Sequence, residues 1–121
     1  MNKLLQLVVA VVFVIAIPHN VMADDQKSIL ITGASTGIGQ TTALHLAEKG
    51  HRVFAGVRSP DGVPDLREKI AEGNLPVEVI KLDVTDTASV KAAVDGVMAS
   101  AGRIDALVNN AGIGGGRAVE E

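Results

Sequence analysis

Gly33, Gly37 and Gly39 fall within Thr32-Gly33-Ala34-Ser35-Thr36-Gly37-Ile38-Gly39, behind the apolar run Ser28–Thr32 and ahead of a helical pattern. A strand that feeds a glycine turn and then a helix can hold an anion. The first amides of a helix point outward and carry partial positive charge. On that reading Gly33 permits the turn off the strand, Gly37 lets the backbone approach a pyrophosphate, and Gly39 lets the helix pack closely against the sheet. Ser35 and Thr36 add hydroxyl donors, and Ile38 is expected to be the first core contact of the helix. The P-loop pattern does not fit. It requires four residues between its glycines and then Lys-Ser/Thr, whereas three residues separate Gly33 from Gly37 and Gln40 follows Gly39. The plain alternative is a tight turn that binds nothing, and the strand–turn–helix context argues against it.

The elements that must position this turn are legible along the chain. Ser28–Thr32 reads as a buried strand. A helix is expected over Ile38–Lys49, with Ile38, Thr42, Leu46 and Lys49 on one stripe, Ala43, Leu44 and Ala47 beside it, and Gly50 as the stop. Arg52–Val57 is a second strand, Ser59–Pro64 a loop, Asp65–Glu72 a short helix and Val77–Leu82 a third strand. Thr85 or Asp86 can cap a helix running to Ser100, with Val90, Ala93, Val94, Val97 and Ala101 on one face. Asp105–Asn109 is a fourth strand and Asn110–Gly116 a glycine-rich turn. Regular alternation of strand and helix predicts right-handed crossovers and a parallel α/β sheet, doubly wound in the Rossmann manner, with strand order 3-2-1-4.

Composition narrows the class further. The 121 residues carry a formal charge of −3, 2% aromatic residues and no basic stripe, which argues against nucleic-acid binding. The absence of cysteine excludes disulfides and thiolate metal sites, and no metal-ligating set is assigned. Residues 1–23 differ from the rest. A short positive start, Met1 to Lys3, precedes the apolar run Leu4–Ile17, a break at Pro18-His19-Asn20 and the small-residue site Val21-Met22-Ala23. That is the layout of a secretory signal peptide, which would send residues 24–121 to the periplasm or outside the cell. An uncleaved anchor that tethers the chain to a membrane and a cytoplasmic start at Met22 are the alternatives.

At Thr32–Gly39 the sequence resembles the short-chain dehydrogenases/reductases, whose cofactor motif it matches in full. Asn109-Asn110-Ala111-Gly112 is similar to that family's second signature. Asp83-Val84, after the third strand, is similar to its adenine-contacting acidic position. The resemblance covers residues 27 to 121 and favours the ordinary, non-extended branch. It implies an NAD(P)(H)-binding oxidoreductase that moves a hydride between nicotinamide and an alcohol or carbonyl. Ser35, Thr36, Ile38, Asp83, Val84, Asn110, Ala111 and Gly112 join the glycines as cofactor-binding candidates. Asp83 could instead serve only its turn, and Asn109 and Asn110 could instead tie strand and turn backbones together.

The ribose 2′ position separates the two nicotinamide cofactors. Val57 stands where an NAD-binding acid is expected, and Arg58 follows with Ser59 beside it. A guanidinium matches a 2′-phosphate, so NADP is favoured and NAD stays open. A solvated loop arginine is the alternative. His45 and His51 have no partner spacing and are expected to be structural or solvent-facing.

No catalytic residue is assigned. The family's reaction implies a tyrosine acid/base, a lysine four residues later, a serine and a relay asparagine, all beyond the Asn-Asn-Ala-Gly turn. The chain has no tyrosine. The expectation is therefore a cofactor-binding portion without its catalytic half. A dinucleotide-binding module and a non-functional remnant are the alternatives. The expected partners are the dinucleotide, the missing half, or a second copy across an exposed fourth-strand edge. The sheet face near Ile29 and Ile31 is expected to be partly uncovered.

Overall fold

The structure is a computed structural model and describes residues 25–112. The signal or anchor segment and the remainder of the glycine-rich turn, from Ile113 onward, lie outside the described residues. Strand β1, Ser28–Ile31, is buried along its whole length. It runs into the glycine turn and helix α1, Gly37–Glu48. Strand β2, Arg52–Val57, follows, then a 3-10 turn at Pro60–Gly62 within the expected loop. Helix α2, Pro64–Gly73, opens with proline in its first turn, where a missing N–H costs nothing, and closes on Asn74 in the left-handed region. Strand β3, Val77–Lys81, leads to helix α3, Thr87–Ala101. Asp86 caps α3 by accepting from the Ala88 amide at 3.0 Å, and Gly102 (φ 74°) ends it. Strand β4 is Ala106–Val108.

All strand pairs are parallel, in the order β3-β2-β1-β4. Alternation along the strands sends side chains to two cores. One joins Ile29, Ile31, Val53 and Ala55 to Ala43 and Ala47 of α1 and Leu66 of α2. The other joins Leu30 and Phe54 to Ala93 and Val97 of α3, with Val90, Val94 and Ala101 packed around them. The expected apolar face of α3 is the one that packs.

Two expectations are corrected here. Ile29 and Ile31 are 5% and 0% exposed, because α1 and α2 cover their side of the sheet. Ile38 is 79% exposed and is no core contact. The buried stripe of α1 is Gly39, Gln40, Ala43 and Ala47. A β-carbon on Gly39 would lie 2.2 Å from the Gly33 carbonyl oxygen, so α1 is seated against the glycine turn itself as well as over the sheet. That contact fixes the helix rotation. At roughly 100° per residue it turns Ile38 away from the core.

The amino ends of the strands are closed by side chains. Asp105 accepts from the Ser28 amide at 2.7 Å and from Arg103 Nε at 2.8 Å. The Ser28 amide and then Arg103 hold its carboxyl below the ordinary aspartate range. His51 Nδ1 accepts from the Lys27 amide at 3.1 Å, a structural role as expected, and Arg52 binds Ser100 at the end of α3. At the β4 side of the sheet Leu107 is 59% exposed.

Candidate functional site

The carboxyl ends of β1, β2 and β3 open into a cavity of about 630 Å³. In open parallel sheets ligands bind where neighbouring strands send their chains in opposite directions, here between β1 and β4. Gly33, Ser35 and Thr36 form one wall of the cavity. Arg58 and Ser59 come from the end of β2, Asp83 and Val84 from the end of β3, and Asn110, Ala111 and Gly112 from the end of β4. Four segments distant in sequence thus converge on one cavity. Gly37, Ile38 and Gly39 do not line this cavity; they form the first turn of α1 beside it.

The glycine turn has the backbone its residues demand. Gly33 and Gly37 have φ of 66° and 61°, a region costly to any residue with a β-carbon. At Gly33 an added β-carbon would also meet Ala111 Cα at 2.8 Å. At Gly37 it would meet nothing within 4 Å. Gly37 is thus set by conformation and faces open space, whereas Gly39 is set by packing.

The N-terminus of α1 is left uncapped. Thr36 occupies the N-cap position with extended backbone, its hydroxyl makes no capping hydrogen bond, and no acidic residue sits in the first turn. The Gly37, Ile38 and Gly39 amides are the orphan donors that such a helix start presents. Together with the helix dipole they suit an anion.

Thr32 is the residue whose role the sequence left unstated. Its buried hydroxyl accepts from the Asn110 amide at 3.0 Å and the Ala111 amide at 2.9 Å. The Asn110 side chain donates to the Gly33 carbonyl at 3.1 Å. Asn110 therefore ties the β4 turn to the glycine turn, one of the two roles open to it from sequence. The Ala34 amide donates to Gly56 O at 3.0 Å, locking the turn to β2. A β-carbon at Gly56 would press on Leu82 at 2.7 Å and on Ile31 O at 2.8 Å. Only the place of Thr32 at the head of the motif could have signalled its role; its partners lie 78 and 79 residues away.

Asp83 does serve its turn. Its Oδ1 accepts from the Thr85 hydroxyl at 2.6 Å and the Thr85 amide at 3.0 Å. The hydroxyl, then the amide, lower its pKa, and the charges of Arg58 and Lys81 add to that pull. Asp83 is therefore an ionised acceptor on the cavity wall, with the Arg58 guanidinium close enough to act on it.

Comparison with known proteins agrees with this geometry. Residues 27–121 match the short chain dehydrogenase family. A 3-ketodihydrosphingosine reductase of Bacteroides thetaiotaomicron is 44% identical over 92 residues, which is 76% of this chain and 30% of the relative. A 3-oxoacyl-(acyl-carrier-protein) reductase of Thermotoga maritima is 48% identical over 94 residues, 76% of this chain and 37% of the relative. Among solved structures, a metagenomic short-chain oxidoreductase in complex with NADP superposes with a TM-score of 0.67 at 34% identity, covering 73% of this chain and 40% of that one. The chain spans about a third of the length of the curated relatives it matches.

Proposed function

The chain belongs to the short-chain dehydrogenase family, and we propose that residues 25–112 hold a nicotinamide dinucleotide, NADP in preference to NAD, for an oxidoreductase acting on an alcohol or carbonyl. The observation that carries this reading is the uncapped start of α1 at the Gly33–Gly37 turn, beside the cavity at the strand ends. The residues fit the group. Gly37 leaves room where a pyrophosphate would approach, and the first amides of α1 are available to it. Asp83, ionised and on the wall, accepts from the adenine amino group. Arg58 and Ser59, at the end of β2, meet the ribose 2′-phosphate. Val57 offers no carboxylate to a free 2′-hydroxyl. The bound cofactor supplies a hydride donor or acceptor. These 121 residues contain no tyrosine, so the proton transfer that accompanies hydride movement in this family is assigned to none of them.

The test is calorimetry with NADPH and NADH on wild type and Gly37→Val. A branched side chain at φ 61° both strains the turn and fills the open space before it. NADPH binding by wild type and its loss in a folded variant support the reading; unchanged affinity in the variant sinks it. Residues 1–23 are proposed to direct export. Sequencing the N-terminus of the natural product checks this. A start at Asp24 agrees with it, and a start at Met22 or a retained Met1 opposes it.

A further inference from the structure

Gln40 is buried, on the face of α1 that meets the core, and a buried amide needs partners. It has two. Its Nε2 donates to the Ser35 carbonyl at 2.9 Å, and its Oε1 accepts from Lys69 Nζ at 3.1 Å. Lys69 lies on α2 and also pairs with Asp65 at 3.2 Å. An ammonium can only donate, so it fixes which end of the Gln40 amide faces it. The NH₂ group must then face Ser35.

The Ser35 carbonyl and the Thr36 N–H belong to one peptide plane. In a trans peptide they point in opposite directions, and the described chain has no cis bond. Holding the Ser35 carbonyl inward against Gln40 therefore turns the Thr36 N–H outward, on the side where Ser35 and Thr36 line the cavity. Among the described residues that N–H has no acceptor. We propose that Gln40, oriented by Lys69, is a positioning residue that aims the Ser35–Thr36 peptide at the pyrophosphate of the bound dinucleotide. Helix α2 thereby contributes to the glycine turn without touching the ligand. This rests on the dinucleotide reading above.

The experiment compares NADPH with adenosine 2′-monophosphate, which carries the adenine end but no pyrophosphate. It uses the full chain with Gln40→Met, which keeps the volume and removes both hydrogen bonds. NADPH affinity should fall about tenfold, the worth of one well-placed hydrogen bond to a charged group, while the monophosphate stays within about twofold. Lys69→Met, at a half-exposed position, should lower NADPH affinity about threefold by freeing the Gln40 amide to rotate. A purely structural role would weaken both probes alike, and that result overturns the proposal. Backbone ¹⁵N order parameters at Ser35 and Thr36 provide a readout without ligand and should drop in both variants. If wild type binds neither probe, the dinucleotide reading fails, while the order parameters still decide whether Gln40 holds this peptide. If Gln40→Met does not fold, Lys69→Met decides alone. Unchanged order parameters at both residues overturn the proposal.

Discussion

Three helices start at the carboxyl edge of the same sheet; α2 opens on Val63 and Pro64 with Asp65 in its first turn, while α3 and α1 make the sharper contrast. Helix α3 begins with Asp86, whose carboxylate accepts from the Ala88 amide, and the preceding turn is closed by Asp83, Thr85 and Ser89. Helix α1 begins with Thr36, whose hydroxyl makes no cap, and has no acid in its first turn. An anionic side chain satisfies the start of α3 from within the chain. At the start of α1 no side-chain cap or first-turn acid offsets the amides and their share of the dipole. The contrast also appears between the two ends of the sheet. At the amino end Asp105, Arg103 and His51 are spent on backbone groups, and at the carboxyl end the glycine turn is held from behind by Thr32, Asn110 and Gln40. On the proposed dinucleotide reading, stability and ligand binding draw on separable residues.

The sharpest way to break this contrast is to give α1 the cap that α3 has. Thr36→Asp should leave the fold intact and steady the helix start, yet place a carboxylate where the pyrophosphate is expected. Like charges about 4 Å apart repel by several kcal/mol at intermediate dielectric, so NADPH affinity should fall about hundredfold or more. Calorimetry beside a thermal melt checks both halves, and retained affinity would remove the meaning given to the missing cap.

Next in size is Arg58→Ala. Loss of a charge-assisted contact should cost NADPH about 1.5–3 kcal/mol, while NADH binding shifts much less. Equal losses for the two cofactors would place Arg58 outside the 2′ site.

Asp86→Ala acts on the other helix. It should cost about 1 kcal/mol of stability and leave dinucleotide affinity unchanged. A melt and one titration measure it, and a change in affinity would show that the two helix starts are not independent.

The smallest expected effect is at the amino end. Asp105 has a lowered carboxyl pKa in the folded state. Its contribution is therefore present above the unfolded pKa near 4 and is lost as pH falls through the lower folded value. Tm measured from pH 6 downward should decline through this window, less steeply in Asp105→Asn. Identical profiles would mean that Asp105 adds no pH-dependent stability.

Much of this was local and could be read in order along the chain. The glycine positions 33 and 37 announce positive φ, since other residues resist it. Asp86, one of two caps offered with Thr85, announces where α3 starts. Alternating strands and helices lead to a parallel sheet, and the doubly wound Rossmann pattern supplies the order 3-2-1-4. Convergence of Arg58, Asp83 and Asn110 on one cavity follows from that order, because parallel strands present all their carboxyl ends together.

The tertiary structure decided what depends on contact at a distance. Hydropathy along α1 suggested a stripe through Ile38, Thr42 and Leu46, but most of that helix is small or weakly apolar and does not fix its own rotation. The rotation is set by the approach of Gly39 to the Gly33 carbonyl, which buries Ala43, Ala47 and Gln40 and leaves Ile38 outside. The cover over Ile29 and Ile31 likewise came from where α1 and α2 settled. Thr32 reaches Asn110 and Ala111, and Lys69 reaches Gln40, across 78, 79 and 29 residues. A sequence determines backbone preferences residue by residue, because sterics and caps act within a few positions. Which buried hydroxyl or amide finds which partner is settled only when the sheet brings those positions together.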